Sequence, residues 1–166
     1  PLARLGAKVC GIDENENAIK EATDHAKKNK LNIDYKKMSF DKINFSKKFD
    51  VIVCMEVLEH LHDVDMLVTK VSQILKPSGY FIGSTINKTF NSYIQAIFFA
   101  ENVLNIVPKE THNWKKFVRP NHLKKKLIFK NFNNIKFQGV QFNPLKNEWK
   151  LIKNLSVNYM FSSKLK

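Results

Sequence analysis

With 166 residues, 43% of them hydrophobic, the chain has the size of one domain and enough apolar material to bury a core, which excludes wholesale disorder. Its net charge of +13 comes from lysines scattered between Lys8 and Lys166, clustered only at Lys115-Lys116 and Lys124-Lys125-Lys126. Such a surface is drawn to anionic lipid or nucleic acid without choosing between them, and no uninterrupted apolar run is long enough to span a bilayer.

Residues 8–13 read as a short strand ending in Asp13, followed over 15–29 by a helix with Ala18, Ile19, Ala22 and Ala26 on one face. A second strand is expected over 33–38. Residues 49–55 are continuous, β-branched and apolar on both faces, as a central parallel strand covered by helices on each side requires. Cys10 and Cys54 lie inside these apolar runs, where small core residues of a reducing compartment are expected rather than a disulfide or metal pair. Glu56 opens a helical stretch through His62. Asp63 begins another, carrying Val64, Leu67, Val68, Val71, Ile74 and Leu75, and Lys76-Pro77-Ser78-Gly79 stops it. Residues 80–86 form the next strand.

The second half changes character. Residues 89–107 are aromatic and aliphatic, including Phe90, Tyr93, Phe98 and Phe99, and basic residues follow at Lys109, Lys115, Lys116 and Arg119. A basic amphipathic helix is expected over 120–130, and a closing antiparallel pair of strands over 134–142 and 156–163. Strands alternating with helices at this spacing predict a doubly wound α/β sheet, whose ligands bind at the carboxyl ends of strands. Asp13, Ser39 and Met55 stand at such ends and are candidate cofactor-binding residues.

Three features bear chemistry. Asp13 is placed either to accept two hydrogen bonds from ribose hydroxyls or to cap the following helix. Glu56, Glu59 and His60, three and four apart, converge on one face if helical. They then read either as a hard divalent-cation site or as the ordinary acidic first turn of a helix. The aromatic stretch is core, a lid over an apolar substrate, or a membrane-surface segment; its place in a connection after a strand favours an inserted functional segment.

Taken together, these residues resemble the ubiquinone-biosynthesis O-methyltransferases, which are class I S-adenosylmethionine-dependent methyltransferases. The resemblance runs through residues 9–13, Phe49-Asp50-Val51-Ile52-Val53-Cys54-Met55-Glu56-Val57-Leu58-Glu59-His60 and Ile74-Leu75-Lys76-Pro77-Ser78-Gly79. It continues through Ser84-Thr85-Ile86-Asn87, 107–112 with Thr111-His112, Lys116-Phe117, Phe142-Asn143-Pro144 and Val157-Asn158-Tyr159-Met160. It implies a Rossmann-like sheet with helices on both faces, in one domain over 1–166 with an inserted membrane or lid segment at about 88–118.

The resemblance implies that Asp13 holds the ribose of S-adenosylmethionine and that Met55 lines the adenine side. It makes Glu56, Glu59 and His60 a Mg²⁺ site and leaves His112 as a catalytic candidate. The implied substrate is a polyprenylated catechol or quinol, and the implied partners are an anionic membrane surface and other quinone-biosynthesis enzymes. The implied location is the cytoplasmic face of a bacterial inner membrane, or the matrix face of the mitochondrial one.

Two departures stand out. The family's first strand and Gly-rich loop are absent, because residues 1–6 resemble the end of the helix that follows them; two strands, at 8–13 and 49–55, are then left without a shared partner. The chain alone is therefore expected to bind S-adenosylmethionine poorly. Ser78 replaces a more usual Gly. The alternatives are an inactive remnant acting as a membrane-associated or complex-forming protein, and a nucleic-acid binder. The latter lacks a clustered basic stripe with interleaved aromatics, so no nucleic-acid partner is expected.

Overall fold

Asparagine side chains bound the first helix. In the computed structural model, which describes residues 1–89, 92, 116–143 and 146–166, α1 spans Glu16–Lys28. Asn15 caps its start by accepting from the backbone N–H groups of Asn17 and Ala18 at 2.9 and 3.3 Å. His25, Lys27 and Lys28 in its last turn suit the negative end of the helix dipole.

The chain divides into two compact units, Pro1–Phe45 and Ser46–Lys166. In the first, β1 (Val9–Asp13) pairs in parallel with β2 (Ile33–Lys37), from Val9↔Ile33 to Asp13↔Lys37, and α1 makes the crossover. Residues Ala3–Leu5 form a single 3₁₀ turn that ends on Gly6 at φ 88, the left-handed conformation in which helices commonly stop.

The second unit is a five-stranded sheet in the order β3-β4-β7-β5-β6. Its strands are β3 (Phe49–Met55), β4 (Leu75–Ile86), β5 (Phe132–Asn143), β6 (Glu148–Ile152) and β7 (Asn158–Leu165). Only β3 and β4 run parallel; β4–β7, β7–β5 and β5–β6 are antiparallel. Between β3 and β4 lies α2 (Val64–Ile74), capped by Asp63, whose carboxylate accepts from Asp65 and Met66 backbone N–H groups at 2.8 and 3.1 Å. It buries Leu67, Val68 and Val71, while α3 (Pro120–Phe129), opened by Pro at its first position, buries Leu123 and Leu127 one turn apart. Phe81 and Phe161 pack edge to face, ring centroids 5.1 Å apart, with Phe132 and Tyr159 among the other fully buried side chains.

Four readings change. The stretch after β3 is not an α-helix: Glu56 takes a left-handed φ of 52, and only a 3₁₀ turn, Leu58–His60, follows. Strand β4 begins at Leu75 rather than Tyr80, absorbing 76–79 as an irregularity in its register with β3. The short edge strand β6 was not anticipated. Strand β3 is not covered on both faces, since Val51, Val53 and Met55 are 44–46% exposed. Each of β1 and β3 has a single hydrogen-bonded neighbour among the described strands.

Candidate functional site

A strand that ends by turning left-handed throws its next side chains back over its neighbour. At the end of β3 the Glu56 backbone N–H donates to both the carbonyl and the hydroxyl oxygen of Ser84, each at 3.1 Å, which secures the unusual φ. The Ser84 hydroxyl in turn donates to Glu56 Oε1 at 2.5 Å. One residue on, the Thr85 hydroxyl donates to Glu59 Oε2 at 2.6 Å. Leu58 anchors the 3₁₀ turn, fully buried, and Glu59 beside it is only 3% exposed.

Glu59 is thus a buried carboxylate whose partners are hydroxyl, backbone and carboxyl groups. Burial pushes its pKa up to about 7; the Thr85 hydroxyl opposes the rise, and the neighbouring Glu56 carboxyl adds to it. No lysine or arginine among the described residues forms an ion pair with either glutamate. The influence of Glu59 reaches further: the Cys54 thiol is raised to about 12 by burial and then by this carboxylate, and the Tyr159 hydroxyl is raised by the same two causes.

Around this pair the second unit gathers distant segments. The Tyr159 hydroxyl donates to the Val118 carbonyl at 2.9 Å, and the Val118 N–H donates to the Ile86 carbonyl at 3.1 Å. Asn87 donates through its backbone to Val157 and through its side chain to Leu155, both at 2.7 Å. Lys116 reaches the His60 carbonyl at 3.1 Å.

The sequence candidates distribute as follows. Asp13 closes β1 and is exposed; its carboxylate accepts from the Asn15 N–H at 2.8 Å, and the helix cap is Asn15 rather than Asp13. Ser39, in the same unit, donates to Glu14 at 3.3 Å just ahead of a 3₁₀ turn, Phe40–Lys42. Met55 closes β3 with 44% of its surface exposed. Glu56 and Glu59 come together, but His60 is exposed. Among the described residues no group of three His, Cys, Asp or Glu side chains forms a metal-holding cluster. The carboxylate pair alone offers the donor chemistry that suits a hard divalent cation: two carboxylate groups, mutually repelling, with no Lys or Arg ion pair among the described residues. His112 and most of the proposed lid, residues 90, 91 and 93–115, lie outside the described residues.

Sequence reasoning gave Ser84 and Thr85 no role. Their signal was available: consecutive hydroxyls at the carboxyl end of an otherwise apolar, buried strand need partners, and acids just after the neighbouring strand are the nearest ones in register. A cleft of about 760 Å³ lies elsewhere, lined by residues of 61–65 and 116–126 and rich in cations, among them Lys88, Arg119 and Lys125; neither carboxylate lines it.

Comparison with known proteins agrees with this architecture. A family model described as a methyltransferase domain matches residues 1–83. A ubiquinone biosynthesis O-methyltransferase of Pelagibacter ubique is 45% identical over 96% of this chain, and one of Bartonella bacilliformis is 40% identical over 96%. The chain spans about two-thirds of their length, 67% and 65% respectively. Among solved structures, the magnesium protoporphyrin IX methyltransferase of Synechocystis PCC 6803, with bound S-adenosylhomocysteine, superposes with a TM-score of 0.69. That match has 16% identity and covers 100% of this chain and 67% of the other. The fold is therefore that of the S-adenosylmethionine-dependent methyltransferases, and the chain belongs to the ubiquinone biosynthesis O-methyltransferase family.

Proposed function

We propose that this chain is part of an S-adenosylmethionine-dependent O-methyltransferase that acts on a catechol hydroxyl of polyprenylated ubiquinone precursors. The observation that carries the reading is the 45% identity, over nearly the whole chain, to a relative of that name. In the reaction the catechol oxygen attacks the sulfonium methyl group in line. The sulfur–carbon bond breaks as the oxygen–carbon bond forms, and the phenolic proton leaves to a base. A free phenol, with a pKa of about 10, is a poor nucleophile at neutral pH, so the site must favour its ionised form. Holding oxygen and methyl in contact supplies much of the remaining acceleration.

The residue roles follow. Asp13 takes the ribose hydroxyls, Ser39 a polar edge of the cofactor, and Met55, exposed at the end of its strand, the adenine face. Glu56 and Glu59 present two carboxylate groups in which Mg²⁺ would sit, with His60 a ligand only after turning towards them. When bound there, the ion supplies Lewis acidity that lowers the phenol pKa and orients both catechol oxygens. His112 stays a candidate proton acceptor. The segment at about 88–118 would cover the substrate and touch an anionic membrane. The location would be the cytoplasmic face of a bacterial inner membrane or the mitochondrial matrix face, alongside other quinone-biosynthesis enzymes. The cationic cleft supports the membrane part.

The test is methylation of a short-prenyl catechol by the intact protein with labelled S-adenosylmethionine. A singly O-methylated product is expected. Cofactor binding without transfer to any catechol would overturn the substrate assignment, and no cofactor binding would overturn the enzyme reading itself.

A further inference from the structure

Adjacent residues on a strand point to opposite faces of a sheet, so Ser84 and Thr85 would ordinarily serve different surroundings. Here the left-handed turn at Glu56 carries the chain over the end of β4, and each hydroxyl engages a different carboxylate of the same pair. Thr85 is fully buried and Ser84 nearly so, at 6%, so neither hydroxyl has water as a ready alternative partner. Ser84 is tied twice, accepting from the Glu56 N–H while donating to the Glu56 carboxylate, which fixes both the backbone and the side chain of that residue. A hydroxyl that donates to one oxygen of a carboxylate orients the whole group.

We infer that Ser84 and Thr85 are positioning residues that aim the Glu56 and Glu59 carboxylates at a shared cation and, through it, at the catechol oxygens. The inference rests on the proposed methyltransferase reading and deepens it. The role of the two hydroxyls in this inference is indirect, because the contacts that place them are with the two glutamates. A purely structural role would predict something different, namely loss of stability on truncation with no change in cation affinity in whatever protein still folds.

The experiment uses the intact protein, with Mn²⁺ as the cation probe followed by calorimetry and electron paramagnetic resonance. S-adenosylhomocysteine affinity serves as a check on the fold, and methylation kinetics are measured in parallel. Thr85→Val and Ser84→Ala are expected to weaken Mn²⁺ binding by about tenfold, the size of effect usual for groups that orient metal ligands. The kcat should fall with it, while S-adenosylhomocysteine affinity stays within about twofold. Thr85→Ser, which keeps the hydroxyl, should restore both readouts. In a Glu59→Gln background, Thr85→Val should have no further effect on Mn²⁺ affinity, because its partner is already removed. Unchanged Mn²⁺ affinity in both truncations, or an undiminished Thr85→Val effect in the Glu59→Gln background, overturns the inference. A wild-type protein that methylates catechol yet binds no Mn²⁺ overturns it too, while leaving the methyltransferase reading intact. A wild-type protein that binds Mn²⁺ but methylates nothing sinks that reading instead.

Discussion

Two residues in left-handed backbone illustrate how one conformation serves different ends. Ser78 sits at φ 64 and Glu56 at φ 52, a region that side chains other than Gly, Asn and Asp enter at a cost of about 1 kcal/mol or more. At Glu56 the cost accompanies a purpose: the turn delivers two carboxylates to the end of β4, and backbone bonds to Ser84 hold it. At Ser78 no such return exists, since the residue lies in the irregularity within β4, at the position where the resemblance leads one to expect Gly, and the left-handed φ gives that departure a consequence. Ser78→Gly removes the Cβ clash but adds freedom to the unfolded chain, so a net gain of roughly 0.5 kcal/mol is expected. The urea midpoint should rise with an unchanged m-value, while Ser78→Ala should not raise it; a midpoint at or below wild type for the glycine variant would refute the strain account.

At the scale of elements, legibility followed the locality of the cause. Helix α1 matches its expected span to within a residue at each end, because both flanking asparagines, Asn15 and Asn29, announce the boundaries chemically. Strand β3 is located to the residue by its apolar, β-branched residues, interrupted only by Asp50. What failed depended on tertiary context. No residue pattern marks Glu56 for a left-handed φ, so the acids after β3 read as helix; His60 joins them through that helical spacing and through the family resemblance. The pair Glu56–Glu59 survived that error, because a chain folding back over β4 brings the same two side chains together by another route. Strand β6 hides in a five-residue alternation, Glu148-Trp149-Lys150-Leu151-Ile152, too short to stand out from the loop before it. The β3–β4–β7 junction offers a test of how closely these elements depend on one another. A Cβ at Gly83 would lie 2.6 Å from the Phe161 ring and 2.7 Å from the Cys54 carbonyl, which pins both neighbouring strands against this position. Gly83→Ala should therefore destabilise the protein by roughly 1–3 kcal/mol, as overpacking does, and read out as a lowered denaturation midpoint. A companion Phe161→Leu change, which removes the ring, should recover part of that loss; full additivity of the two substitutions would argue against the close contact.

The molecule as a whole is dominated by its net charge of +13, and charge on this scale acts at a distance rather than through any single pair. Ion pairs such as Lys76 with Asp50 at 2.8 Å and Lys37 with Glu16 at 2.6 Å are exposed, and each contributes little to stability. They cannot neutralise the molecule, because acidic residues number 15 against 28 basic ones. The cleft lined by Lys88, Lys116, Arg119, Lys125 and Lys126 carries more basic than acidic side chains, Asp63 and Asp65 being its acids, and lies in the same unit as the carboxylate pair. If the proposed membrane contact is made by this surface, it has a definite signature. Binding to phosphatidylglycerol vesicles should weaken by about tenfold or more between low salt and 0.5 M, because screening shortens the reach of each charge to a few ångströms. Binding to phosphatidylcholine vesicles should be weak at every salt concentration. Reversing Arg119 and Lys125 to Glu should reduce phosphatidylglycerol binding while leaving cofactor affinity unchanged, since neither is among the residues proposed to hold the cofactor. Equal binding to both lipids would instead place the contact on apolar surface and make the net charge incidental to it. Retained salt-sensitive binding after the charge reversal would move the contact to another part of the basic surface.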